Sequence, residues 1–129
     1  MSRAKPLILL VEDQQELRQL YAQQLELSGF DVIEAANGAD ALTHTATHFP
    51  DVVLMDLSLP ILDGWEATRR LKTDERTAHI PVVALTAHDG SGDLQRATRA
   101  GCDWFVPKHC PPAALVVEIR RVLARQSHL

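Results

Sequence analysis

Five side chains of this sequence could do chemistry together: the adjacent acids Glu12 and Asp13, the acid Asp56, the hydroxyl of Thr86 and the ammonium of Lys108. Each stands at or just past the end of a short apolar run. Leu7 to Val11 precedes the acidic pair, Val52 to Met55 precedes Asp56, Val82 to Leu85 precedes Thr86, and Phe105 to Val106 comes shortly before Lys108. Three carboxylates brought within a few ångströms repel by on the order of several kcal/mol at an effective dielectric of ~20, so such a cluster calls for a cation. Few hard oxygen ligands, with room left for water and phosphate oxygens, describe Mg²⁺ rather than a closed Ca²⁺ cage or a zinc site. Lys108 and Thr86 add a point charge and a hydrogen-bond donor for the outer oxygens of a phosphoryl group. The chemistry favoured is phosphoryl transfer, which consists mainly of positioning and charge neutralisation, with a carboxylate as a reasonable acceptor. Singly, each residue reads as ordinary surface charge. Their joint placement at successive strand ends is what points to a site.

The elements that must position them follow from periodicity. The apolar, β-branched runs Leu7 to Val11, Val32 to Ile33, Val52 to Met55, Val82 to Leu85 and Phe105 to Val106 predict five strands. The first, third and fourth are continuously apolar, as strands buried on both faces are, so the sheet should be parallel. Between the runs the period becomes helical. Leu17, Leu20, Tyr21 and Leu25 are expected to share one face, and Leu115, Ile119, Val122 and Leu123 another. The first helix should stop at Ser28-Gly29 and the fifth should start at Pro111-Pro112. Weaker helical segments run from about Ala39 to His48, Trp65 to Lys72 and Asp93 to Ala100. Five βα units with right-handed crossovers give an α/β, doubly wound fold with five helices on the two faces of a five-stranded parallel sheet. Ligands of such folds sit at the carboxyl ends of the strands, where the five residues fall.

Composition limits the function classes. The 129 residues suit one domain, taken as 5–126, and 46% hydrophobic residues can form a core without disulfides. A formal net charge of −4 disfavours direct nucleic-acid binding. No run approaches the ~20 apolar residues of a membrane span, and Met1 to Lys5 shows no signal-peptide pattern. Cys102 and Cys110 read as free thiols of a cytoplasmic protein.

The segment Val53-Leu-Met-Asp-Leu-Ser-Leu-Pro-Ile-Leu-Asp-Gly64 resembles the phosphoacceptor loop of the response-regulator receiver domains of two-component systems. Ala84-Leu-Thr-Ala87 resembles their fourth-strand switch motif, and Ala100-Gly-Cys-Asp-Trp-Phe-Val-Pro-Lys108 their fifth strand and phosphate-binding lysine; the likeness covers about Leu7 to Leu123. The resemblance implies a flavodoxin-like strand order of 2-1-3-4-5. It implies phosphorylation of Asp56, Mg²⁺ held by Asp13 and Asp56 with help from Glu12, and a backbone carbonyl of Ser58 as a further ligand. It also implies a switch in which Thr86 moves toward the phosphoryl group and Phe105 turns inward behind it. The phosphoryl donor would be a histidine kinase or a histidine phosphotransfer protein, and the output a downstream protein partner or an attached output domain. Catalysis would extend only to self-phosphorylation and slow autodephosphorylation.

Three departures from the family pattern stand out. His109 follows Lys108 where the family usually has proline, and Pro107 precedes it; a trans Lys108–His109 bond is expected, with the neighbouring dihedrals adjusting to aim the lysine. Phe105 replaces the commoner tyrosine, which keeps the packing role and loses a hydroxyl. His88 stands two residues after Thr86, where side chains influence access of hydrolytic water. The other notable residues favour plain readings. His44 and His48, four apart, read as a solvated helix face for want of a third ligand. Cys110 near Lys108 is weak grounds for redox activity, Trp65 and Trp104 read as packing residues, and Gly90 and Gly92 as loop. Two rivals remain. An aspartate-dependent phosphohydrolase often has a second acid two residues after the nucleophile, where this chain has Ser58. A degenerate receiver would lack part of the five-residue set, which is complete here.

Overall fold

A computed structural model describes residues 4–57, 59, 61–86 and 93–126. Strands β1 (Leu7–Val11), β2 (Asp31–Ala35), β3 (Val52–Asp56), β4 (Val82–Thr86) and β5 (Trp104–Pro107) alternate with helices α1 (Gln15–Leu27), α2 (Gly38–His48), α3 (Gly64–Thr73), α4 (Asp93–Ala100) and α5 (Pro112–Gln126). All pairings are parallel, and the order is β2-β1-β3-β4-β5, as expected. The register aligns Val11 with Met55 and Asp56 with Leu85, so the carboxyl ends of the central strands lie side by side.

The continuous apolar runs are continuous because successive residues feed two different cores. Ile8, Leu10, Leu54, Val83, Leu85 and Val106 pack with Tyr21 and Leu25 of α1 and with Leu115, Ile119 and Val122 of α5. Leu9, Val11, Val53, Met55, Val82 and Ala84 face the other way, toward Ala41 of α2 and Ala67 and Leu71 of α3. The edge strands β2 and β5 are less buried, which suits the shorter apolar runs seen in their sequence. Pro107 ends edge strand β5 opposite Thr86, where its missing N–H costs no interior ladder bond.

Local signals set the helix ends. The Asn37 side chain accepts from Asp40 N at 2.8 Å and the Asp63 side chain from Glu66 N at 2.9 Å, two N-caps worth about 1 kcal/mol each. After α1, Gly29 adopts φ +100° and Phe30 N donates back to Leu25 O at 3.1 Å, which turns the chain into β2.

One residue departs from the expected helix face. Leu20 is 49% exposed. At about 100° per residue it sits well to the side of Tyr21 that faces away from Leu25, and Ala22, on the other side, is buried in its place. His44 is half-buried and His48 exposed, with ring centroids 6.0 Å apart. Both cysteines are free thiols. Trp104 packs against the first core, donates its indole N–H to Glu118 at 2.9 Å and lies under the Arg125 guanidinium. Among the described residues no helix is long and apolar enough to cross a membrane.

Candidate functional site

The carboxyl ends of β1, β3 and β5 deliver four of the predicted side chains to one place. Glu12 extends β1 by one residue, its N–H donating to Ala35 O at 3.0 Å, and its side chain is fully buried. Asp56, the last residue of β3, is 1% exposed, whereas Asp13 faces solvent. Carboxylate oxygens of Glu12, Asp13 and Asp56 lie within 4.8 Å of one another, the one such group of three acids, histidines or cysteines among the described residues. Lys108 reaches in from beyond β5, with Nζ 2.9 Å from Asp56 Oδ2 and 3.3 Å from Glu12 Oε2.

The electrostatics follow from burial. Burial pushes the Glu12 carboxyl up to about 7, and the Asp56 charge adds to the rise, while the Gln14 N–H and Lys108 oppose it. Burial works against the Lys108 ammonium, but the hydrogen bond and charge of Asp56, together with Glu12, outweigh it and raise its pKa. Three carboxylates against one ammonium leave a formal excess of two negative charges. Glu12 Oε1 is moreover a buried oxygen without a hydrogen-bond partner, a costly state unless something positive satisfies it. Donor set, charge and orphaned oxygen all fit a hard divalent cation.

Thr86 is nearly buried at the end of β4, and its hydroxyl donates to Val106 O at 3.5 Å, toward β5 rather than toward the acids. Phe105 is half-buried against the second core. Lys108 N donates to Thr86 O at 2.6 Å, so the lysine and the threonine share one strand junction. Beyond it the chain turns: Cys110 N donates to Pro107 O at 3.3 Å and His109 takes φ +67°. No cis peptide bond occurs among the described residues, so the Lys108–His109 bond is trans and His109 absorbs the change, in a region that histidine tolerates better than most residues. Ser58, His88, Gly90 and Gly92 lie outside the described residues.

Sequence reasoning missed two supports. Arg18 of α1 donates through Nη1 to the Glu12 carbonyl at 2.8 Å and pairs through Nε with Glu34 of β2 at 2.9 Å. It thereby fixes the backbone that carries the acidic pair. Gly38, at the start of α2, abuts the loop after β3 so closely that a Cβ there would come within 2.0 Å of Leu62 O. Neither residue carries a periodic or compositional signal. Only the assembled fold brings their partners near.

Residues 8–120 match the response regulator receiver domain. The chain belongs to the response-regulator receiver family. Its relatives include the polar-differentiation response regulator DivK of Brucella ovis, 39% identical over 101 residues that span 78% of this chain and 82% of that protein. Among solved structures, the receiver domain of sensor histidine kinase PA1611 from Pseudomonas aeruginosa PAO1, which has a magnesium ion in its active-site cleft, superimposes with a TM-score of 0.82 at 34% identity. That match covers 95% of this chain and 97% of the other. A LuxR-family response regulator from Aurantimonas gives 0.83 at 34% identity, covering 94% and 86%. The receiver is thus a phosphoacceptor signalling domain of two-component systems, with a five-stranded flavodoxin-like fold.

Proposed function

We propose that residues 5–126 form one receiver domain in which Asp56 accepts the phosphoryl group, Lys108 steadies it, and Thr86 and Phe105 report it to the surface. The observation that carries this reading is the Lys108–Asp56 contact of 2.9 Å inside the three-acid cluster. A carboxylate oxygen of Asp56 attacks phosphorus in line with the leaving group, and the Lys108 ammonium, already at the carboxylate, is placed to follow charge onto the phosphoryl oxygens. Asp13, Asp56 and Glu12, with the Ser58 carbonyl, would hold Mg²⁺, Glu12 commonly through water. When bound, the ion neutralises charge on the entering phosphoryl oxygens.

Thr86 completes the reading as a switch. Its hydroxyl rests on Val106 O through a long hydrogen bond, which a phosphoryl oxygen could outcompete as a charged acceptor. The side chain would swing toward Asp56 and leave room behind it for Phe105, a shift between two packings. The phosphoryl donor is a histidine kinase or phosphotransfer protein, the output a downstream partner or attached domain, and the setting cytoplasmic. Self-phosphorylation from small donors and slow autodephosphorylation are its only catalytic acts.

Incubation with acetyl phosphate and Mg²⁺ should add a single phosphoryl mass, and excess EDTA should prevent it. Equal modification with and without EDTA would remove the metal from the account. Thr86→Ala should leave phosphorylation largely intact while shrinking the amide NMR shifts of α4 and β5 on adding beryllofluoride with Mg²⁺. A mutant that responds as fully as wild type would take Thr86 out of the switch.

A further inference from the structure

The loop between β3 and α3 holds one residue that neither the core nor the phosphoryl chemistry uses. Ile61 has φ +68° and is 83% exposed. A β-branched side chain is poorly suited to the left-handed region, where glycine and asparagine sit at far lower cost. A lone exposed apolar residue would mean little. One that is held out in a strained backbone, in the loop that directly follows Asp56, is different.

Described residues on either side of Ile61 are held in place. Leu59 is buried and Leu62 packs against the second core. The Leu62 carbonyl lies against Gly38 of α2, and Gly64 N donates to Leu57 O at 3.3 Å. Among the described residues of this loop, Ile61 is therefore the large apolar side chain left facing solvent, five residues beyond Asp56 in the segment that leaves the phosphoacceptor strand.

We propose that Ile61 is a specificity-determining contact for the protein that donates the phosphoryl group, an inference that rests on Asp56 being the acceptor. Asp56 is 1% exposed, so a donor protein must bring its phospho-imidazole down to the strand ends and lie across the loops around them. An Asp56 oxygen then bonds to phosphorus and the P–N bond breaks with its electron pair left on the ring nitrogen, so that a donor ring protonated at its other nitrogen departs as neutral imidazole. Ile61 takes no part in these bond changes. It is buried by the donor during them, which gives the exposed side chain the apolar contact it lacks in the free domain. Acetyl phosphate is small enough to reach Asp56 without touching Ile61.

The test compares Ile61→Asn and Ile61→Val with wild type. The protein donor is the purified, ATP-autophosphorylated histidine kinase or phosphotransfer protein that labels the wild-type chain fastest in a side-by-side profile. Ile61→Asn should raise the melting temperature by about 2–5 °C through relief of the left-handed strain. It should lower kcat/KM for the protein donor by about tenfold or more, and leave the acetyl phosphate rate within about twofold. Ile61→Val should keep most of the transfer rate. The proposal is overturned if Ile61→Asn accepts from the protein donor as fast as wild type, if its acetyl phosphate rate falls in parallel, or if its melting temperature does not rise. A profile in which no protein donor labels a wild-type chain that acetyl phosphate does label would also overturn it. Failure of acetyl phosphate to label the wild-type chain would instead sink the reading of Asp56.

Discussion

Asp56→Asn should reduce phosphorylation from acetyl phosphate to background while making the metal-free protein more stable. The amide keeps the shape of the carboxylate but is no nucleophile toward phosphorus. Stability rises because the buried cluster carries more negative charge than Lys108 can balance, and the substitution removes one of its three acids. At separations under 4.8 Å that relief is on the order of 1–3 kcal/mol after the weakened Lys108 contact is subtracted. Lys108 keeps Glu12 at 3.3 Å as a partner, so its ammonium is not stranded. Thermal melts with and without Mg²⁺ check both halves: wild type should gain stability with the ion, and the mutant should gain much less. A mutant destabilised in metal-free buffer would show that the Lys108 contact, rather than repulsion among the acids, dominates the resting site.

Gly64→Ala should be a costly single-methyl change at the carboxyl edge of the sheet. A Cβ at Gly64 would lie 2.3 Å from Asp56 O and 2.7 Å from Leu57 Cα, which are backbone atoms of the strand end that presents the phosphoacceptor. Flexible side chains can give way to a methyl, but the backbone of a strand end paired with β4 cannot. The expected loss is on the order of 2–4 kcal/mol, with slower phosphorylation from the surviving folded population because Asp56 is displaced. Gly29→Ala is the control. Its Cβ would meet nothing within 4 Å, so only the positive φ opposes it and the loss should be about 1 kcal/mol. Urea titrations compare the two; equal midpoints would refute the close-packing argument.

How much of this was legible beforehand depended on how local the cause is. The doubly buried strands announced themselves, since a run such as Val52 to Met55 must place alternate side chains in two cores and can spare no polar position. Helix ends were legible where proline or glycine marked them, at Pro111-Pro112 and Ser28-Gly29. Leu20 was misplaced because a count of apolar residues at helical spacing does not distinguish the centre of a stripe from its margin. In the site, residue types at strand ends identified Glu12, Asp13, Asp56 and Lys108 as a group, and the fold brings them together. Arg18, Gly38 and the left-handed Ile61 were invisible, because each depends on a neighbour distant in sequence or on a backbone conformation that its own residue type disfavours.

Chemical trapping shows directly whether the carboxylate of Asp56 becomes the acyl phosphate. After phosphorylation with acetyl phosphate and Mg²⁺, borohydride reduction converts an aspartyl phosphate into homoserine, and peptide mass mapping locates the change. Homoserine is expected at position 56 alone, with none in protein treated in excess EDTA. Homoserine at position 13, the corresponding reduction product at Glu12, or phosphate retained on a serine, threonine or histidine with residue 56 unchanged would contradict it.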